Sequence, residues 1–410
     1  MTATTWRTPG AIVVAGCLLT IVAFGTRATF GLFLEPMTLF HGWTREDFAL
    51  AMAVQNLLWG AAQPFAGALA DRHGAGRVIA AGLVAYAVGV ACMAVSDTPL
   101  WLLLSGGILV GLAQAFASYS IVLAAFARLL PEAQRSWAFG VGTAAGSLGQ
   151  FLMVPLGQAF IMAFGWFDAL LLLAAGLVIV LPLAFVLHYV PLQLGRGGAV
   201  AAPLPAGEAL SAAVGHRSFL LLTAGFFVCG FHVAFIGIHL PAYLGDQGFG
   251  PGVGAAAIAL IGLFNVIGAY ASGVIGTRHS KKTLLCWIYL ARSVVLLAFV
   301  ALPVTTVSVY LFAAAMGILW LSTVPPTSGL VALMFGVRNM AMLFGVVFFS
   351  HQVGAFLGVW LGGWLFDATG SYDVVWWLAI ALGLFAAAVH WPIREAPAPS
   401  PAVQPAPSGG

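Results

Sequence analysis

The chain has 410 residues, 62% of them hydrophobic and 7% charged, with a mean hydropathy of +1.04. Soluble domains carry about 25% charged residues, so this composition excludes a soluble enzyme, a nucleic-acid binder and a disordered chain. Lys and Arg number 15 against 12 Asp and Glu, with no basic run, and Cys17, Cys92, Cys229 and Cys286 sit singly in apolar stretches without disulfide or metal-ligand spacing.

The chain reads as an all-α integral membrane protein. A span needs roughly 20 apolar residues, and twelve transmembrane helices are predicted, at 11–34, 46–69, 77–95, 98–124, 136–162, 167–188, 217–243, 252–276, 284–303, 308–332, 339–363 and 372–391. The first run is too long, and too polar at Arg27, for a cleaved signal peptide. Continuously apolar runs without period-two alternation argue against strands. The longest polar break, around 189–216, holds Gly195-Arg196-Gly197-Gly198, Pro203 and Pro205. It predicts a flexible cytoplasmic linker at 191–216 between six-helix bundles at 1–190 and 217–393. Residues 394–410, rich in Ala, Pro and Ser, predict a disordered tail.

Orientation follows from the placement of charge. With a cytoplasmic N-terminus, Arg7, Arg72, Arg77, Arg128, Arg135, Arg196, Arg217, Arg278, Lys281, Lys282, Arg338 and Arg394 share that side. Arg45 alone falls in an external loop, among Asp47, Asp97, Asp168, Asp246, Asp367 and Asp373. The positive-inside rule therefore predicts both termini inside. Arg27 and Arg292 remain within spans.

An internal repeat is visible at an offset of about 205 to 206 residues. Gly31-Leu32-Phe33-Leu34 falls on Gly237-Ile238-His239-Leu240, and Gly67 to His73 falls on Gly273 to His279. Gly140, Gly149, Gly157, Gly165 and Asp168 fall on Gly345, Gly354, Gly362, Gly370 and Asp373. Duplicated six-helix units place a site on the pseudo-twofold axis at mid-membrane.

Between spans two and three stands Gly67-x-x-x-Asp71-Arg72-x-Gly74-x-x-Arg77. Gly67 permits close helix approach and Gly74 a tight reversal. Asp71 can pair with Arg72 or Arg77, or sit at a facing helix N-terminus. The motif resembles the signature loop of the major facilitator superfamily, and the degraded second copy, with Thr277 and Ser280 in place of the acid and the glycine, fits that pattern. The resemblance covers about residues 10–393 and implies two bundles that rock about a central site.

Ionisable groups inside spans are costly and point to function. Arg27 could snorkel to the interface or pair with Glu35. Turned inward, it offers a forked, permanently charged carboxylate receptor. His232 and His239, two turns apart on one face of span seven, and His351 in span eleven could be hydrogen-bonded core residues, solute contacts or proton relays. Other polar candidates are Gln55, Asn56, Gln63, Gln114, Ser118, Ser120, Asn265, Ser322, Thr323 and Thr327. The resemblance implies a cavity lined by spans one, four, seven and ten, which ranks Tyr119 and Trp320 highest. It also makes Arg292 structural, since span nine is peripheral in such folds. Pro325-Pro326 predicts a kink in span ten, as a gating bend or a packing break. Gly142-x3-Gly146 and Gly354-x3-Gly358-x3-Gly362 read as packing stripes.

Thr29-Phe30-Gly31-Leu32-Phe33-Leu34-Glu35-Pro36-Met37, followed by Gly42-Trp43-Thr44-Arg45, resembles bacterial members of the monocarboxylate transporter family, which include relatives of oxalate–formate exchangers. Span five lacks the Gly-Pro and Gly-Gly pattern of drug/proton antiporters. Where that family carries an Asp and an Arg in span eight, this chain has Asn265 and Ala269, and span eleven shows His351 rather than a Lys. The expectation is a proton-coupled secondary transporter of a small organic anion, a monocarboxylate, working by alternating access. It would act as a monomer in the bacterial inner membrane, without cofactor, metal or nucleic-acid partner. Arg27, Tyr119, His232, His239, Trp320 and His351 would bind the substrate, and Gly67, Asp71, Arg72, Gly74 and Arg77 would form the conformational motif. The alternative is an exporter of a neutral or amphipathic compound. An intramembrane enzyme would need a Ser/His, paired-Asp or HExxH constellation, and none is visible.

Overall fold

A computed structural model describes residues 8–188, 206–336 and 340–398. Arg7, Arg196, Arg338, the Gly195–Gly198 and Pro203/Pro205 features of the expected linker, and residues 399–410 of the expected tail lie outside them. The described residues form sixteen α-helices and no strand. In chain order these are α1 (Pro9–Ala28), α2 (Leu34–His41), α3 (Arg45–His73), α4 (Ala75–Ala94), α5 (Pro99–Leu102), α6 (Val110–Phe116), α7 (Tyr119–Leu129) and α8 (Glu132–Val180). There follow α9 (Ala206–Val214), α10 (Arg217–Asp246), α11 (Pro251–Arg278), α12 (Lys281–Ala301), α13 (Thr306–Leu319), α14 (Val324–Phe335), α15 (Met340–Thr369) and α16 (Asp373–His390).

Ten stretches among the described residues are long and apolar enough to cross a membrane. The 29-residue α3 is not among them. It carries Gln55, Asn56 and Gln63 along its length and Arg45, Glu46, Asp47, Asp71 and Arg72 at its ends. The fifth and sixth predicted spans join in α8, interrupted at Gly165, whose φ of 84° is open to glycine but strained for other residues. The ends are set by local chemistry. Thr44 and Asp47 close a capping box on α3, and Thr305 and Ser308 close one on α13. Gly42 ends α2 in the left-handed conformation.

Two of the predicted spans are broken, one without warning in the sequence and one where a kink is expected. The fourth predicted span contains a π-helical stretch, Leu103–Leu109, and a break at Ala117–Ser118 before α7. The tenth breaks between Leu319 and Val324, at the position that Pro325-Pro326 announces. Ser118 and Thr323, which begin the following helices, stand 205 positions apart.

The internal repeat recurs in the packing. A side-chain carbon at Gly111 would fall 2.8 Å from the Gln55 carbonyl oxygen, and one at Gly317 would fall 2.8 Å from that of Ile261. Gly149 lies against the Ile21 carbonyl, and Gly354 against that of Phe227. Each second contact repeats the first at an offset of 205 to 206. Lipid tails are as apolar as leucine, so helices in a membrane associate through close packing and hydrogen bonds, and glycine at the crossing brings backbones together. The paired contacts set α1 on α8 and α10 on α15. Across the middle, α3 packs on α15 and α8 on α11.

Candidate functional site

Between these helices lies a cavity of about 100 Å³. That is several times the roughly 10–15 Å³ that one water needs. Its walls differ. Helices from the first half of the chain contribute Arg27, Gln55, Asn56, Trp59, Tyr119 and Gln150 alongside Phe24 and Ala28. Helices from the second half contribute chiefly Phe226, Val233, Ala234, Ile238, Ile258, Leu321, Val324, Phe344 and Phe348, with Trp320 and His351 as the polar exceptions.

Arg27 is the one permanently charged side chain on this wall. Its Nη2 donates to Asn56 Oδ1 at 2.5 Å, and its guanidinium lies 4.8 Å from the Trp59 ring centroid and 5.9 Å from that of Phe24. Cation–π contact of this kind is worth about 2 kcal/mol when desolvated, which helps to offset the burial of the charge. Among the described residues it forms no ion pair. The pairing with Glu35 that the sequence allowed does not occur, since Glu35 lies instead against Gly245 at the end of α10. Arg27 Nε and Trp59 Nε1 are both buried without a hydrogen-bond partner.

Of the other expected contacts, Tyr119, Trp320 and His351 line the cavity. His351 Nδ1 bonds Gln352 Oε1 at 2.9 Å, and its ring stacks on Phe348. His232 and His239 do not line it. His232 Nε2 bonds the Ala379 carbonyl at 2.7 Å, and His239 bonds the Val359 carbonyl at 2.8 Å and the Tyr372 hydroxyl at 3.1 Å. They share a face of α10 as expected, but that face is packed against α15 and α16. Asn265 joins helices, donating to Ser147 Oγ and accepting from the Leu321 amide at the break before α14. Arg292, fully buried, donates to the Leu319 and Trp320 carbonyls that the same break leaves without helical partners.

The Gly67–Arg77 segment also differs from expectation. Asp71 pairs with Arg128 at the end of α7, at 2.5 Å, and not with Arg72 or Arg77, which are exposed. A side-chain carbon at Gly67 would have no neighbour within 4 Å, so the close helix approach expected there is absent in this arrangement. Gly74, at φ +88°, makes the reversal into α4.

At the opposite end of α3 stands a cluster that sequence reasoning missed. Arg45 forms a two-pronged ion pair with Asp246, both contacts at 2.6 Å, and donates to the Tyr372 hydroxyl at 3.0 Å. Its guanidinium lies 3.8 Å from the Phe366 ring centroid. Asp367 accepts the backbone amides of Arg45 and Glu46, acting as an external cap on α3, and Trp360 Nε1 donates to Glu46. The signal available in the sequence was Arg45 itself, a lone cation among six aspartates.

This cluster ties the two halves of the chain at one end of the cavity. Arg45→Gln should raise labelling of a cysteine placed at cavity-lining Ala28 severalfold when an impermeant thiol reagent is applied from the Arg45 face. The charge swap Arg45→Asp with Asp246→Arg should return it toward background. Unchanged labelling in Arg45→Gln would show that the cluster does not close that face.

A bundle of long apolar helices around a cavity with one guanidinium among its lining groups is the architecture of a membrane transport protein. The chain belongs to the Major Facilitator Superfamily, whose family model matches residues 16–358; it is a multi-pass membrane transporter and not an enzyme. It is similar to Monocarboxylate transporter 13 of Rattus norvegicus, 26% identical over 371 residues, covering 88% of this chain and 83% of that one. It is likewise similar to Monocarboxylate transporter 11 of Mus musculus, 26% identical over 373 residues, covering 86% and 80%. In structure it is similar to the nucleoside transporter NupG, with a TM-score of 0.76 at 14% identity, covering 92% and 98% of the two chains. A bacterial homologue of the human lysosomal transporter Spinster, described as inward-facing and unoccupied, has a TM-score of 0.71 at 14% identity and covers 95% of each chain. At these identities the structural likenesses speak to the fold alone.

Proposed function

We propose that this transporter moves a small organic anion, a monocarboxylate, together with a proton. The observation that carries this reading is Arg27, a part-buried guanidinium on the cavity wall that forms no ion pair with any described carboxylate. A charge kept inside a span at a cost of several kcal/mol is a receptor for an opposite charge. Similarity to proteins named monocarboxylate transporters supports the same class. Tyr119, Trp320 and His351 complete the site from the facing helices. His351 is the histidine on the cavity wall, and an imidazole there carries the coupled proton.

The proposed frame is twelve spans, obtained by counting α3 and dividing α8 at Gly165, arranged as bundles at 1–190 and 217–393 with both termini cytoplasmic, in the bacterial inner membrane. Alternating access is rocking of these bundles about the Arg27 site. On that orientation Arg45 closes the external side, and the arrangement described is one with its external gate shut. Gly67, Asp71, Arg72, Gly74 and Arg77 then lie at the cytoplasmic gate, where Gly67 meets a facing helix only in the opposite state.

Uptake of labelled carboxylates into proteoliposomes tests this reading. Uptake should rise when the interior is made alkaline relative to the side of addition. His351→Gln should lose that stimulation while retaining exchange of internal for external carboxylate. Failure of every carboxylate to enter, with the protein folded and correctly inserted, would refute the proposal.

A further inference from the structure

The cavity has a polar annex, and its shape and chemistry bear on what the substrate's body must be. A niche of about 20 Å³, built wholly by the first half of the chain, adjoins the main chamber and shares Phe24, Arg27, Trp59 and Tyr119 with it. It has room for about one small polar group. Two buried donors on its lining residues, Arg27 Nε and Trp59 Nε1, have no acceptor in the protein. An unsatisfied buried donor is expensive, and a pair of them beside a fixed positive charge matches the two oxygens of one carboxylate. The chamber beyond faces the side chains of Val233, Ile238, Leu321, Val324, Phe344 and Phe348, none of which carries a charge.

Resting on the anion reading above, we infer that the substrate is an amphipathic monocarboxylate. Its carboxylate lies in the niche between Arg27 and the indole N–H of Trp59, and its hydrocarbon or aromatic body fills the chamber against the second half of the chain. Short hydrophilic acids leave that wall without a partner. Dicarboxylates would place their second charge on an apolar surface, unpaired and desolvated.

Equilibrium binding to the purified full-length protein tests this, with acetate, butyrate, hexanoate, benzoate, lactate and succinate as probes. Affinity should rise from acetate to hexanoate by about two- to fourfold per methylene. Benzoate should bind better than lactate, and succinate at least about tenfold more weakly than butyrate, because a desolvated charge without a partner is costly. Two variants separate head from body. Trp59→Phe keeps an aromatic face and removes the N–H, so it should weaken every monocarboxylate by a similar factor and leave the per-methylene gain unchanged. Phe344→Ser should flatten the per-methylene gain and leave acetate unaffected. A flat series, or succinate or lactate binding as well as hexanoate, would overturn the inference and leave the anion proposal standing. Absence of binding by any carboxylate would overturn both.

Discussion

Arg27→Ala should lower carboxylate affinity by about tenfold to a hundredfold, the range expected when a charge-assisted hydrogen bond worth roughly 1.5–3 kcal/mol is removed. The same substitution should leave the melting temperature in detergent unchanged or raise it. The fold carries Arg27 as a part-buried charge that no described carboxylate neutralises, so its removal relieves a cost and breaks the bond to Asn56 and the cation–π contacts with Trp59 and Phe24. Binding down and stability up is the signature of a group retained for its ligand. Arg27→Lys keeps the charge and loses the fork, so affinity should fall between the two. If Arg27→Ala instead melts early and binds normally, the arginine is a structural element of the first half of the chain.

Gly354→Val and Gly149→Val should each prevent accumulation of folded protein. At Gly354 a side chain would occupy the place of the Phe227 carbonyl, and at Gly149 that of Ile21. These contacts are backbone against side chain, so no rotamer change relieves them and the helices must separate. Overpacking within a core costs about 1–3 kcal/mol even where side chains can adjust, and here α10–α15 and α1–α8 would lose their crossings. Gly345→Ala provides the control. Its side chain would meet nothing within 4 Å, and a helical Gly→Ala change should stabilise by about 0.5–1 kcal/mol. Thermal unfolding monitored by tryptophan fluorescence distinguishes the two classes. Equal tolerance of all three substitutions would show that the repeated glycine contacts do not hold the bundle together.

The glycine spacing was already legible as a repeat in the sequence, and so was the helical membrane class, because both rest on composition and period. Arg27 was legible for a related reason, since a charge among apolar residues is conspicuous without any knowledge of its neighbours. The histidines were not. Buried residues are distributed around nearly the whole circumference of α10, so hydropathy cannot tell which face of it meets the cavity. His232 and His239 share a face, but that face is packed. Trp59 was overlooked because an indole in an apolar run carries no surprise, although it stands three residues after Asn56, one turn along the same helix. The partners of Asp71 and Arg45 depend on which helix ends meet in space. Arg128 and Asp246 are 57 and 201 residues away in sequence, beyond any local pattern. The break before α14 was announced by its prolines, whereas the one before α7 has no proline to mark it.

Capture of a carboxylate by Arg27 is tested most directly by a structure of the purified protein with 4-bromobenzoate bound, the bromine located by its anomalous signal. A single peak is expected in the chamber near Phe344 and Val324. The carboxylate should point toward the first half of the chain, within about 3 Å of the Arg27 guanidinium, and Arg27→Ala should abolish the peak. A bromine site outside this cavity, or a carboxylate turned away from Arg27 and toward the second-half wall, would contradict it.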